Sequence, residues 1–474
     1  MRRTKIVCTL GPASERREQI ETLLNAGMNV ARLNFSHGDH DWHAERLRMI
    51  RSLAQARDQP IAVLQDLAGP KIRIGEIPGG GIELREGETI LFTDRPTDLA
   101  GAAGVPEINL PVPALLAALA PGQQLVLGDG LVTLKALERR GSDWLCQVVD
   151  GGLLTSRKGV SGLGLTLDIE CVGERDLDDA RFGIEQGVDW IAVSFVRTAE
   201  DLRPIRDLIR SMGAPTRLIA KIEKHQAVAN LSAILAAADG VMVARGDLGL
   251  EIPLEEVPLV QKRIIQASNS AGLPVITATQ MLQSMIQNPS PTRAEVADIA
   301  NAILDGTDAV MLSEETAVGR FAPQTVGMMA RIAERAEAAL DYQRIHALKL
   351  DVTATTVAEA IAQGSLEIAE DLQARAILCS TTSGSTARLI SKNRPRAPII
   401  GATSSSETYR QLALSWGVVP VMVPATRDTD TRLADAVRVA RERQLVAAGD
   451  LVVIVGGVPV GEPGHTNMIK VQQS

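Results

Sequence analysis

At 474 residues the chain is too long for one ordinary core, so two or three domains are expected. Hydrophobic residues make up 45% and charged residues 22%, an ordinary soluble globular composition, while aromatics are only 2%, which leaves core building to Ala, Val, Ile and Leu. A net charge of −8 with pI near 5.5 argues against a nucleic-acid coat or an anionic membrane surface, so anions must be bound by local clusters of cations.

The chain opens on "TKIVCTL" (4–10), an apolar run of about six residues that Lys5 interrupts and Gly11-Pro12 ends. Such a run is too short for a signal peptide and reads as a buried strand. Short β-branched runs then alternate with helical patterns: "NVARLNF" (29–35), "IAVLQD" (61–66), "DWIAVSFV" (189–196) and "RLIAKIE" (217–223). "GVMVARGD" (240–247), "PVITATQ" (274–280) and "DAVMLSEE" (308–315) complete eight strands. Helical segments such as 14–27 and 255–272 lie between them and end in Gly, where a C-cap belongs. Eight strands separated by helices read as a (β/α)8 barrel.

An insert of about 100 residues parts the third strand from the fourth, its short β runs punctuated by "PGGG", "REGE", "GDGL" and "RRGSD". It is read as a small β-barrel domain perched on one barrel loop. Beyond about residue 345 the α/β alternation restarts with helix 353–372, strand "ARAILCS" and three further helix–strand pairs. The predicted domains are a catalytic (β/α)8 barrel (1–69 and 168–344), an inserted β lid (70–167) and a C-terminal α/β domain (345–474). No run approaches 18 apolar residues, which excludes a membrane-spanning helix. The four cysteines (Cys8, Cys146, Cys171, Cys379) are far apart and suit free thiols in a reducing cytoplasm.

Polar residues gather where these strands end, the end at which such a barrel carries its active site. Arg32, Asn34 and Ser36 share one face by the two-residue period; Asp66 ends the third strand, and Lys221 and Glu223 the fifth. Arg245 and Asp247, Thr279, and Glu314 with Glu315 end the last three. Any one of them reads equally as a solvated strand end; the set does not. Glu223 and Asp247 end neighbouring strands and suit Mg²⁺, which takes one or two protein carboxylates plus substrate oxygens. Lys221 reads as a Schiff-base former, a stabiliser of a developing anion, or half of a buried ion pair. With Arg32 and Arg73 it forms a cationic funnel for a phosphorylated, carboxylated substrate, and this supports phosphoryl transfer. No Walker motif or kinase-type Gly-rich loop is present. His37, His40 and His43 are spaced to spread around a turn, which disfavours a metal site, and no Ser/His/Asp triad is apparent.

"ARLNFSHG" (31–38), "GPKIRIG" (69–75), "SRKG" (156–159), "AKIE" (220–223), "ARGDLG" (244–249), "TATQMLQSM" (277–285) and the stretch 288–323 resemble the signature blocks of pyruvate kinase over the whole chain. The resemblance implies transfer of the phosphoryl group of phosphoenolpyruvate to ADP, giving pyruvate and ATP. By it, Lys221 stabilises the phosphoryl group in flight and the enolate, Glu223 and Asp247 hold Mg²⁺ (or Mn²⁺), and Arg32 and Arg73 grip phosphoryl oxygens. Gly246, Asp247 and Thr279 seat the substrate carboxylate, with Thr279 near the face where the enolate is protonated. Asn34, Phe35, Ser36, His37, Arg73 and Lys158 contact the nucleotide, Lys158 arriving with the lid.

In this family Asn34, Ser36, Asp66 and residue 67 form a K⁺ site. Lys71 stands where potassium-requiring members carry Glu, and Leu67 where they carry Thr, so the resemblance implies turnover without K⁺. The expected reason is an ammonium tethered near Asp66. Thr381, Thr382, Ser383, Gly384, Ser385 and Thr386, at a strand-to-helix junction, resemble the family's pocket for a phosphorylated effector. They also read as a plain helix cap. The loop 457–467 lacks the aromatic residue some members place there. The family also implies a homotetramer. Two departures stand out: "SEET" (313–316) for the usual "SGET", and "SGLGL" after "SRKGV" where "NLPG" is common. The rivals are another Mg²⁺-dependent pyruvate-enolate barrel enzyme, an aldolase or lyase, and a catalytically silent sugar-phosphate sensor.

Overall fold

Eight parallel strands close into a barrel in chain order: β1 (Lys5–Thr9), β2 (Val30–Asn34), β3 (Ala62–Asp66), β4 (Trp190–Val193), β5 (Arg217–Ile222), β6 (Gly240–Ala244), β7 (Val275–Ala278) and β8 (Ala309–Leu312). The computed structural model describes all residues but 1, 100, 102–103, 129, 163, 166–168, 344, 346–354 and 459–465. The predicted domain boundaries at 167/168 and 344/345, part of "SGLGL" and most of the loop 457–467 therefore fall on residues outside the described ones.

The strands are buried on both sides because alternate residues serve two cores. In β1, Val7 points into the lumen with Val30, Leu64, Trp190 and Ile219, while Ile6 and Cys8 pack outward against the helices. The expected glycine caps are in place: Gly27 (φ 122°) and Gly272 (φ 72°) end helices Arg17–Ala26 and Val257–Ala271. Two strand ends differ from expectation, the eighth strand stopping at Leu312 with Glu314 and Glu315 in the helical turn Glu314–Ala317. The sixth strand stops at Ala244, and Arg245–Leu248 wind into a helical turn, so Arg245 and Asp247 are not two positions on one strand face.

The insert has its own core, built from residues such as Ile90, Phe92, Leu125, Leu134 and Trp144. Its described strands form a six-stranded sheet and a two-stranded ribbon (Gly81–Leu84 with Gly152–Thr155), separate from the main barrel. The C-terminal domain is a five-stranded sheet: β9 (Ala376–Ser380), β10 (Ile399–Thr403), β11 (Val418–Met422), β12 (Leu451–Gly456) and β13 (Met468–Gln473), in the order β11-β10-β9-β12-β13. The last strand, antiparallel to β12, was not anticipated.

This domain docks on the N-terminal mouth of the barrel. Ala413 and Leu414 enter the lumen core beside Trp190. Acids at the strand starts take its arginines: Asp308 pairs with Arg394 at 2.9 Å and Asp189 with Arg410 at 2.8 Å. That leaves the opposite mouth, where the lid sits, for chemistry.

Candidate active site

Lys221, on the last turn of pleat in β5, is buried at the C-terminal mouth. Its ammonium donates to Ser194 Oγ at 2.7 Å and lies 3.2 Å from Asp66 Oδ1 and 2.9 Å from Glu223 Oε1. Burial works against that charge, but Asp66 and Glu223 outweigh it and raise the lysine pKa. Burial would likewise raise Asp66, and Lys221 with Arg32 holds it below the usual carboxylate range. Glu223 is pushed up by burial and by the nearby charge of Asp247, against the pull of Lys221. Arg32 is anchored by Asp66 Oδ2 (2.7 Å) and the Thr9 hydroxyl (2.9 Å).

Opposite this cluster, the Gly246 N–H donates to the Thr279 hydroxyl oxygen at 2.8 Å, which brings the predicted carboxylate seat together. Lys71 corrects an expectation. Its ammonium reaches Asp247 Oδ1 at 3.5 Å and not Asp66, because Arg32 and Lys221 already fill both oxygens of Asp66. Glu223 and Asp247 fit a divalent ion in donor chemistry. Glu223 Oε1 is buried and accepts no hydrogen bond of good geometry, only the ionic contact with Lys221. Among the described residues no cluster of three or more His, Cys, Asp or Glu side chains could hold a metal.

A cleft of about 710 Å³ runs between the lid (Val126, Thr133, Asp150) and the loops after β6, β7 and β8, with Lys71, Asp247, Thr279 and Glu314 on its walls. Arg73 and Lys158 stand at the root of the lid, where residue 73 bridges to Gly159 and the Ile74 N–H donates to the Lys158 carbonyl. The Arg73 guanidinium donates to the Arg157 carbonyl at 3.0 Å. On the β2 side, Asn34 accepts from the Ser36 N–H, Phe35 stacks on His43 at 3.9 Å, and His43 bonds the His37 carbonyl. His40 pairs with Asp179. Leu67 is buried, its carbonyl accepting from Ser194. Glu315 turns inward to accept from the Leu282 and Ser313 N–H groups, while Glu314 faces the cleft. In the C-terminal domain, Thr381 accepts from the Gly384 N–H, Thr382 accepts from Arg432, Ser383 bonds Ser385, and Thr386 bonds Thr466.

Ser194 and Phe195 were missed. The Phe195 N–H donates to Glu223 Oε2 at 2.7 Å from a backbone with φ of 57°, so this loop orients the carboxylate that faces Lys221. The one available signal was a serine interrupting the apolar run "DWIAVSFV" at its end.

A buried ammonium between two carboxylates, a paired arginine and a lid-covered cleft at the C-terminal mouth of a (β/α)8 barrel define a phosphotransferase site. The model of the pyruvate kinase barrel domain matches residues 1–326, and that of the pyruvate kinase alpha/beta domain matches 359–472. The chain is similar to the pyruvate kinase of Geobacillus stearothermophilus, 47% identical over 474 residues that cover 99% of this chain and 80% of that one. It is 44% identical to pyruvate kinase 2 of Synechocystis sp. over 99% of this chain and 79% of that one. To pyruvate kinase of Staphylococcus aureus it is 45% identical, over 99% and 80%. The chain belongs to the pyruvate kinase family. It is an enzyme, and the family's requirement for a divalent metal comes with that membership.

Proposed function

We propose that the chain carries out the family reaction, from phosphoenolpyruvate and ADP to pyruvate and ATP, with Lys221 at its centre. The carrying observation is the buried ammonium of Lys221 held between Asp66 and Glu223 at the C-terminal mouth of the barrel. Arg32, fixed through Nε and Nη1, keeps Nη2 for a phosphoryl oxygen, and Arg73 approaches from the lid root. Glu223 and Asp247 hold Mg²⁺ or Mn²⁺, which supplies positive charge to the substrate oxygens. The Asp247 N–H seats the substrate carboxylate together with the Gly246 N–H and the Thr279 hydroxyl, which exchange for it their bonds to Thr279 Oγ1 and to the Ala278 carbonyl.

As the enol C–O–P bond breaks at the phosphorus, the Lys221 ammonium offsets charge on the phosphoryl group and the enolate oxygen. The enolate then takes its proton at the methylene carbon through water ordered near Thr279. Asn34, Phe35, Ser36, His37, Arg73 and Lys158 hold ADP, and lid closure excludes water that would accept the phosphoryl group.

Lys71 places a tethered cation on Asp247, in the neighbourhood where Asn34, Ser36, Asp66 and Leu67 replace a K⁺ site. Turnover therefore does not need K⁺. Thr381–Thr386, with Arg432 beside Thr382, receive the phosphate of a metabolite effector, and the enzyme works as a cytoplasmic homotetramer. The relatives' names do not favour an aldolase, a lyase or a silent sensor. A coupled assay tests this reading. In buffer free of K⁺ and Na⁺, added K⁺ is expected to change the wild-type rate by less than about twofold, while Lys71→Glu becomes K⁺-dependent. Many-fold stimulation of the wild type would overturn the role of Lys71. Lys221→Met is expected to lose roughly 10²–10³ in kcat, and a near-normal rate would overturn the site itself.

A further inference from the structure

Two consecutive residues at the cleft wall have left-handed backbones, Thr279 at φ 72° and Gln280 at φ 55°. That conformation is uncommon for any residue but glycine, and for a β-branched one it needs outside support. The support is the side chain of Arg245. Its Nε donates to the Ala278 carbonyl at 3.2 Å, and its Nη2 to the Thr279 carbonyl at 2.7 Å and to Met281 Sδ at 2.8 Å. Nη1 is held by Asp298 at 2.7 Å, on helix Arg293–Leu304, and by Gln261 at 3.3 Å, on helix Val257–Ala271. One planar fork thus joins both carbonyls of the strained turn to two helices, which a lysine cannot do. The main chain just beyond completes the clamp, since the next N–H, that of Gly246, bonds the Thr279 hydroxyl.

We propose that Arg245 is a positioning residue, whose guanidinium keeps Thr279 and Gln280 left-handed so that the Thr279 hydroxyl faces the substrate carboxylate. Arg245 does not itself touch substrate. This rests on the role given to Thr279 above, so Thr279→Ala is measured alongside. For Arg245→Gln, kcat is expected to fall at least about tenfold and KM for phosphoenolpyruvate to rise severalfold, with KM for ADP and Mn²⁺ affinity by paramagnetic titration changed less than about twofold.

Glycine adopts the left-handed region freely. Adding Gln280→Gly to Arg245→Gln should therefore restore part of kcat, a rescue that a merely structural arginine would not show. If Arg245→Gln does not fold, Arg245→Lys, which keeps the charge and loses the fork, is read on the same four quantities and with the same glycine rescue. Unimpaired kcat and KM in the Arg245 variant beside an impaired Thr279→Ala, or a loss that Gln280→Gly leaves untouched, would overturn the proposal. A normal Thr279→Ala would instead overturn the carboxylate-seat reading on which it stands.

Discussion

The Lys221 ammonium carries three protons, and Ser194, Asp66 and Glu223 stand around it at 2.7, 3.2 and 2.9 Å. Two of these partners are carboxylates that hold the charge by ion pairing. Ser194 is the neutral one, and its own proton is fixed on the Leu67 carbonyl at 2.8 Å, which turns its oxygen's lone pairs to the ammonium's side. Ser194→Ala removes that fixed acceptor and lets the ammonium settle toward the carboxylates. The expected result is a kcat reduced by about 10- to 100-fold with KM for ADP little changed, because sub-ångström displacement of a charge-stabilising group costs rate before it costs binding. Steady-state kinetics beside a thermal melt checks this. A kcat within twofold of wild type would show that the carboxylates alone hold Lys221.

At the scale of elements, the turn "AGPK" after β3 shows what a glycine can be needed for. Gly69 has φ of 64°, and a Cβ there would come within 2.9 Å of the side chains of Ser194 and Phe195. Its N–H is spoken for by Asp176 at 2.9 Å. Gly69→Ala is therefore expected to destabilise by about 1–3 kcal/mol and to lower kcat by shifting Ser194, measured by denaturant unfolding and by assay. The barrel itself was readable from sequence, because eight short apolar, β-branched runs alternate with helical patterns and place their polar residues at one end. Lys221, Glu223 and Asp66 could be found for the same reason. What could not be read depends on partners distant in sequence. The sixth strand yields to a helical turn whose arginine is held by residues 278, 279 and 298. Ser194 matters through residues 67 and 221, and Lys71 meets Asp247 because Asp66 is already occupied. The edge strand β13, "MIKVQQ", escaped notice because it lies largely exposed and has no apolar alternation to reveal it.

Across the whole molecule, the barrel and the C-terminal domain meet through charges placed in an apolar mouth, and Lys5 is one that titrates in reach of ordinary pH. Its ammonium is buried at the start of β1 and donates to the Val418 carbonyl at 2.7 Å. Burial, with the nearby Arg2, lowers its pKa to about 7, against the opposing pull of Glu337 and Asp308. Between that value and the ordinary lysine value the unfolded chain holds more protons than the folded one, so this group makes stability rise with pH through that window. At lower pH the folded state must carry the buried charge, and the penalty is fully present. Lys5→Met removes the titration and loses the hydrogen bond to residue 418. The variant should therefore be the less stable protein at pH 9.5, gain on the wild type as the pH falls toward 7 and hold that gain below it. Urea unfolding of both proteins at several pH values checks the sign. A difference in midpoint that stays constant across the window would mean that the lysine is charged in the folded protein throughout, and that the two domains are joined at Lys5 by an ordinary ion–dipole contact.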